Sequence, residues 1–360
     1  MLIYVCLSGH GYGHGSRVAS VLSCLHALEP TWRLVLSTPL SQDFLSLAMG
    51  QVPFELRSCR WDVGVIQADA LGADPEATLE ALEQLERQLP AQLDDEVDWI
   101  RAQAEPVLLL SDVAPAAAGL RQRLGAPLIW MGNFGWDVIY RPMGGAFVPW
   151  AEHCLQAYRQ GTALIACPLN MEMPWGLPSV PVGLTAGRPR CTPEQIRQRL
   201  GLSGPRERTI LMGFGGMGLS LAHALFGRWP SFQFLVSDPG LAASAPNVTV
   251  VPSDWRPLEV MQICSRVITK PGYSTFCEAL SQGLGVHLVH REGFAEAPVL
   301  EAALQRHGRH RLLSRAQLEA GDWQLDQPLL APTGQPLTAH GAEEAAAFLQ
   351  AQGLRANFDV

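Results

Sequence analysis

"DWRPLEVMQICSRVITKPGYSTFCEALSQGLGVHLVH" occupies residues 254–290. Within it, "RVITK" (Arg266–Lys270) is a short apolar run that reads as a strand. A Pro-Gly turn follows, a helix begins from Ser274, and "GVHLVH" (Gly285–His290) is a second apolar run. Strand, helix and strand in that order form a crossover unit, which joins parallel strands of one sheet.

The same alternation extends outward in both directions. In the first half, "LIYVCL" (Leu2–Leu7), "RLVLST" (Arg33–Thr38), "PVLLLSD" (Pro106–Asp112) and "PLIWM" (Pro127–Met131) read as buried strands. "SRVASVLSCLHAL" (Ser16–Leu28) puts Val18, Val21, Leu22, Leu25 and Leu28 on one helical face, and Asp74–Gln103 reads as a helix bent near Pro90. In the second half, "TILMGFG" (Thr209–Gly215), "FQFLVSD" (Phe232–Asp238) and "NVTVVP" join the two strands above. Helices are expected over Ser220–Trp229, from Pro257, over Ala297–Gly308 and over Gly341–Gly353. "PSVPVGLTAGRPRCTP" (Pro178–Pro193) is rich in Pro and Gly, has no period and reads as a linker. Alternating strands and helices imply a parallel sheet covered on both faces, here twice over. The expected division is a Rossmann-like domain over 1–183, a linker over 184–192, a second Rossmann-like domain over 193–340, and a terminal helix in 341–360 packing back on the first. Two such domains place ligands in the cleft between them, at the carboxyl ends of the strands.

Composition narrows the function classes. Of 360 residues, 48% are hydrophobic and 17% charged, a globular balance with enough apolar mass for two cores. The formal charge of −8 and the lack of a basic stripe argue against a nucleic-acid partner. No apolar run approaches the roughly 20 residues of a membrane span, and "MLIYVCLS" lacks the basic start of a secretory signal. The eight cysteines are scattered without a CxxC pair, so reduced core thiols in a cytoplasmic protein are expected. Lys270 is the single lysine among 26 basic residues.

Two loops have the chemistry to hold phosphates. Gly213, Gly215 and Gly218 form a GxGxxG after a strand, where glycines permit close backbone approach and a helix N-terminus favours an anion. With Asp238 ending the next strand, this is also the pattern of a dinucleotide site, so a dinucleotide-dependent oxidoreductase is a competing reading. The second loop is "KPGYSTFCE". Lys270 offers a point charge to a phosphate, Ser274 and Thr275 can donate at a helix N-terminus, and Glu278 lies one turn further on the same face, suited to ribose hydroxyls. The plainer readings are a helix N-cap for Ser274 and a solvated helix residue for Glu278.

These residues carry a resemblance. Residues 254–290 resemble the donor-binding segment of GT-B glycosyltransferases, in which a Trp opens the segment, a small motif binds the diphosphate and a Glu holds the ribose. Trp255, Lys270, Gly272, Ser274, Thr275 and Glu278 match those positions, with Gly215 and Gly216 supplying the glycine loop. The lysine stands where plant members commonly have histidine. "GLGV" lacks the usual proline, and "REGFAEAP" has no Asp-Gln or Gln-Gln pair for the donor sugar, leaving Glu292 or Glu296 in that place. More narrowly, "GHGYGHGSR", "SDVAP", "GNFGWDVIY" and "KPGYSTFCEAL…REGFAEAPVLEAAL" look like the glycosyltransferase-like region of plant L-arabinokinases and its free-standing bacterial relatives.

The resemblance implies an α/β protein of GT-B type, with two doubly wound Rossmann-like domains facing across a cleft. It implies transfer of a sugar from a nucleotide-sugar donor, a UDP-sugar first among them, to an acceptor hydroxyl with inversion. No further cofactor and no metal are called for, and no DxD is seen at a strand end. In many inverting relatives a histidine in the loop after the first strand is the general base. His14 matches that position better than His10, and Asp112 matches its acidic partner. An imidazole backed by a carboxylate can take the proton that an attacking hydroxyl must lose. "NFGWDVIY" faces the acceptor side. There Trp136 is either a platform for the acceptor or a packed indole, and Asp137 is a second base candidate. "IYRPMGGAFVPW" carries arginine and aromatics suited to peripheral membrane contact. A nucleotide-sugar-binding module without turnover is the remaining alternative.

Overall fold

In the computed structural model of the chain, residues 1–66, 73–214, 222–238, 240, 245–291 and 294–358 are described. Gly215, Gly216, Gly218 and Glu292 lie outside them. The first sheet contains β1 (Leu2–Leu7), β2 (Arg33–Ser37), β3 (Glu55–Arg57), β4 (Val107–Asp112), β5 (Leu128–Gly132), β6 (Ala163–Ala166) and β7 (Ser179–Pro181). Their order across the sheet is β3-β2-β1-β4-β5-β6-β7. The second contains β8 (Thr209–Gly213), β9 (Gln233–Val236), β10 (Val248–Val250), β11 (Arg266–Thr269), β12 (Gly285–Val289) and β13 (His310–Leu313), in the order β10-β9-β8-β11-β12-β13. Every pairing within both sheets is parallel. The strand order reverses between β1 and β4 and again between β8 and β11. At such switch points the flanking loops diverge and leave a crevice at the carboxyl edge.

The helices of the first half are α1 (Tyr12–Leu28), α2 (Gln42–Met49), α3 (Pro75–Ala102), α4 (Ala117–Leu124), α5 (Trp136–Tyr140) and α6 (Phe147–Tyr158). Those of the second are α7 (Pro193–Leu200), α8 (Pro257–Met261), α9 (Tyr273–Ser281), α10 (Ala297–His307), α11 (Arg315–Ala320) and α12 (Gly341–Phe358). Central β1 is entirely buried, which explains its unbroken apolar run. Helix α3 starts where the Asp74 side chain accepts from the Ala77 amide at 3.0 Å and Pro75 occupies the first turn. Pro90 stays inside α3 on its exposed side, while Leu82, Leu93, Val97 and Ile100 face the sheet.

The chain crosses between the domains twice, and the two crossings touch. The Leu184 amide donates to the Thr338 carbonyl at 2.7 Å, and the Gly341 amide donates back to the Leu184 carbonyl at 3.2 Å. Helix α12 then runs over the first domain. Its Ala342, Ala345, Ala346 and Leu349 are buried in one cluster with Val18, Val21 and Leu22 of α1.

Several local expectations are corrected. Helix α1 begins at Tyr12, so Gly13, His14 and Gly15 are helical and the loop is only the few residues before Gly11. None of Gly9, Gly11, Gly13 and Gly15 has a positive φ, so a left-handed turn is not why they are glycine. The stretch read as linker from Pro178 opens with β7, an edge strand on β6. The helix expected over Ser220–Trp229 is a 3₁₀ turn, His223–Arg228, in its described part. Short β3, β6 and β13 had no sequence signal beyond a few apolar residues. In the stretch read as suited to peripheral membrane contact, Tyr140 and Phe147 are buried, Trp150 is half-buried, Val148 is exposed, and Arg141 pairs with Glu152 at 3.4 Å. Among the described residues no helix is long and apolar enough to cross a membrane.

Candidate functional site

The site forms where the two switch points face each other. Leu7 and Asp112 are paired across β1 and β4, so the loop leaving β1 and the last residue of β4 meet at the carboxyl edge. His14, in the first turn of α1, places Nδ1 2.6 Å from Asp112 Oδ1. Asp112 is fully buried and its neighbour in this contact is 11% exposed. A carboxylate can only accept, so Nδ1 carries the hydrogen in this contact.

Arg17 completes this arrangement and was not anticipated from the sequence. It lies one turn after His14, is buried, and grips Asp112 with two bonds, Nε to Oδ2 at 2.8 Å and Nη2 to Oδ1 at 2.7 Å. Burial alone would push the Asp112 carboxyl up, but the Arg17 charge and then His14 hold it below its ordinary range. Nη1 of Arg17 donates to Asn133 Oδ1 at 2.7 Å, and Asn133 Nδ2 donates to Glu296 Oε1 at 2.6 Å. The network thus runs from His14 in the first domain to Glu296 at the start of α10 in the second. Burial pushes the Glu296 carboxyl up, opposed by its bond from Asn133 and by the nearby His14. The only hint in the sequence was spacing: Arg17 follows His14 by three residues, which puts both on one helical face.

His10 precedes the helix and is packed, edge-on to Trp136 at 5.2 Å and stacked with Phe294 at 6.3 Å between ring centres. Burial, then the charges of His14, Arg291 and Lys270, lower its imidazole to about 3, so it is neutral. Gly64 lies against it at φ +75°, where a Cβ would run into the imidazole. Trp136 is fully buried with Nε1 donating to Asp62 Oδ2 at 2.8 Å, so it is a packed indole and not an exposed platform. Asp137 is also buried. Its Oδ2 accepts from Trp175 Nε1 at 3.3 Å, and burial pushes the carboxyl up. Among the described residues no hydrogen bond or ion pair links it to the His14 network.

Across the cleft, Thr269 of β11 pairs with Gly213 of β8, so Lys270 sits beside the start of the glycine loop. No carboxylate pairs with Lys270 among the described residues, and burial, then Arg291, pushes its ammonium down. Gly272 is the N-cap of α9, so Ser274 is not. The Ser274 hydroxyl donates to the Gly13 carbonyl at 2.7 Å and ties the N-terminus of α9 to that of α1. Gly13 permits this approach, since a Cβ there would lie 3.1 Å from the same oxygen. Thr275 and Glu278 follow on α9, half-buried. Burial pushes the Glu278 carboxyl up to about 7, with Arg256 opposing and Glu259 reinforcing. Trp255 is half-buried, with the Arg199 guanidinium 4.7 Å over its ring. Asp238, the acid of the dinucleotide reading, is exposed and accepts from the Gly240 amide at 2.8 Å within its own turn. Among the described residues no group of three or more His, Cys, Asp or Glu side chains is placed to hold a metal ion.

No family model matches the chain. Over 328 residues it is 27% identical to an L-arabinokinase of Arabidopsis thaliana, a match covering 88% of this chain and 31% of that protein. The chain thus spans about a third of the length of that relative. Among solved structures it is similar to UDP-glucose: anthocyanidin 3-O-glucosyltransferase in complex with UDP, with a TM-score of 0.63, 11% identity, and 98% and 94% of the two chains covered. A UDP-glucosyltransferase from Polygonum tinctorium capable of glucosylating indoxyl gives 0.63, 14%, 99% and 92%. The spinosyn forosaminyltransferase SpnP gives 0.61, 14%, 98% and 95%. At these identities the likeness establishes the fold: two Rossmann-like domains of GT-B type.

Proposed function

We propose that this chain is a glycosyltransferase that moves a sugar from a nucleotide-sugar donor, most simply a UDP-sugar, to an acceptor hydroxyl with inversion. One observation carries the reading: the 2.6 Å contact of His14 Nδ1 with Asp112 at a switch point, which in the neutral tautomer leaves Nε2 available as a base. In this mechanism Nε2 takes the proton of the acceptor hydroxyl as its oxygen attacks the anomeric carbon. The bond from that carbon to the diphosphate breaks, and the nucleoside diphosphate leaves. Lys270 and the converging N-termini of α1 and α9 are suited to meet its charge. Glu278 is suited to the ribose and Trp255 to the base. Glu296, which touches the His14 network through Asn133, is suited to a sugar hydroxyl.

The fold of the UDP-sugar-binding neighbours supports the donor class. The eight free cysteines, most of them buried, support a reducing compartment such as the cytoplasm. A second reading, nucleotide-sugar binding without turnover, is favoured by Arg17, whose two bonds already neutralise Asp112. Hydrolysis of a panel of sugar nucleotides without acceptor separates the two. Under the first reading slow hydrolysis is expected, and His14→Ala lowers it by roughly 100-fold or more while donor affinity barely changes. Equal rates for His14→Ala and the native chain would remove His14 as the base. Tight binding with no hydrolysis, and no transfer to any acceptor tried, would favour the binding module.

A further inference from the structure

Parallel strands share one direction, so the second sheet has two unlike edges. Its carboxyl edge faces the cleft. Its amino edge, on the opposite side, gathers arginines: Arg206 and Arg208 lead into β8, Arg266 begins β11, Arg309 precedes β13 and Arg311 lies within it. Strands β8, β11, β12 and β13 are successive neighbours in the sheet, which brings these residues together from across more than a quarter of the chain. Between them is a cavity of about 270 Å³ lined by Arg206, Glu207, Ser265, Arg266, Gly283, Arg309 and Leu329.

The way these guanidiniums are held is unusual. Arg206 donates to the carbonyls of Cys264 at 2.8 Å and Gln282 at 2.9 Å. Arg309 donates to the Gly283 carbonyl at 3.0 Å, and Arg311 to Gln324 Oε1 and the Pro328 carbonyl, both at 2.7 Å. Arg266 Nη1 lies 3.1 Å from His287 Nε2 and 3.2 Å from the Gln327 carbonyl. His287 is fully buried with Nδ1 3.0 Å from the Trp323 carbonyl, so Nδ1 donates there and Nε2 accepts from Arg266. Every acceptor is neutral, and among the described residues none of these arginines is ion-paired with a carboxylate. Their side chains are therefore oriented without a carboxylate in direct contact, and Glu207 is the one acidic residue in the lining. Burial, and after it the charges of Arg311, Arg309 and Arg208, push the Arg266 guanidinium down, with Asp326 opposing. Mutual repulsion of this kind is relieved by an anion placed among the charges.

Arg206 keeps Nη1, Arg266 keeps Nε and Nη2, and Arg309 keeps Nε and Nη1 free of protein acceptors among the described residues. Guanidinium forks match phosphate oxygens in pairs, and fixed forks lose little freedom on binding. The cavity is smaller than the usual range for a whole drug-sized ligand, and suits one phosphoryl group with a small body attached. We propose that the amino edge of the second sheet is a binding site for a small phosphoryl-bearing anion, held by Arg206, Arg266 and Arg309 and separate from the cleft.

The cleft is itself suited to phosphates, so the test is made in a Lys270→Ala background. Inorganic phosphate and glycerol phosphate are titrated calorimetrically at low salt into Lys270→Ala alone, and into Lys270→Ala combined with Arg266→Gln or with Arg309→Gln. Lys270→Ala is expected to bind one equivalent. Arg266→Gln should weaken that binding about tenfold or more, and the more exposed Arg309→Gln less, about threefold. Arg309 holds a single carbonyl, so its variant keeps the fold even if Arg266→Gln does not. Tighter binding of the ester than of the free ion identifies the occupant as a phosphorylated metabolite; the reverse identifies inorganic phosphate. No binding to Lys270→Ala at millimolar concentration, or equal affinity in the Arg309→Gln variant and its parent, overturns the proposal.

Discussion

Glu278 offers a test in which stability and binding should move in opposite directions. Its carboxyl is half-buried on α9, makes no side-chain hydrogen bond or ion pair among the described residues, and is pushed up to about 7 by burial. In the unfolded chain the same group titrates near 4.5. Between those values the folded state binds more protons than the unfolded state, so this group's contribution falls as pH rises from 4.5 to 7 and stays low above 7. A difference of about 2.5 at ~1.36 kcal/mol each gives an upper bound near 3 kcal/mol, and partial exposure reduces it to roughly 1–2 kcal/mol. Glu278→Gln has the shape of the protonated acid and no charge to desolvate. Urea unfolding should therefore find the variant more stable than the native chain by roughly 1–2 kcal/mol at pH 8, and the two within ~0.5 kcal/mol at pH 4.5. The same change should weaken UDP more than its 2′-deoxy analogue if the carboxylate accepts from the ribose. A variant no more stable than the native chain at pH 8 would refute the claim that this carboxylate is held at a cost. Equal losses for both nucleotides would refute its ribose role.

Lys270→Ala should lower nucleotide affinity by about tenfold to a hundredfold, the scale of one charge-assisted contact, and Lys270→Arg should recover only part of it; unchanged dissociation constants by calorimetry would take Lys270 out of the site. Arg17→Gln leaves Asp112 buried with one partner where it had two, and should cost about 3–5 kcal/mol of stability in thermal or urea unfolding. A loss under ~1 kcal/mol would mean that Asp112 does not depend on its guanidinium.

The layered fold was legible because buried parallel strands are continuous apolar runs, as in "LIYVCL" and "PVLLLSD". The contact between His14 and Asp112 crosses 98 residues, yet it follows from topology: both sit at carboxyl ends around a switch point. Arg17 was not legible, because an arginine on an amphipathic helix reads as solvated until the carboxylate that draws it inward is known. The enclosure of Trp136 depended on Asp62, from a stretch with no helical or strand period to fix its place. Ser274 was read as a ligand contact from its position at a helix start; its bond to Gly13 exists only because two distant helix ends meet. Short strands such as β6 and β7 fell below what periodicity resolves, since strands of three or four residues carry too few alternations.

The docking of α12 on α1 has a consequence for how the chain is made. The apolar face of α1 and the residues that cover it, Ala342 to Leu349, are separated in sequence by the whole of the second domain. During synthesis Val18 and Leu22 therefore lack their final partner until the second domain, with all six of its strands, has been made. Closure of this longest loop is a late, sequence-distant step of the sort that slows folding and leaves apolar surface open to association. The helix that carries His14 thus receives its apolar cover only after every strand of the second domain exists.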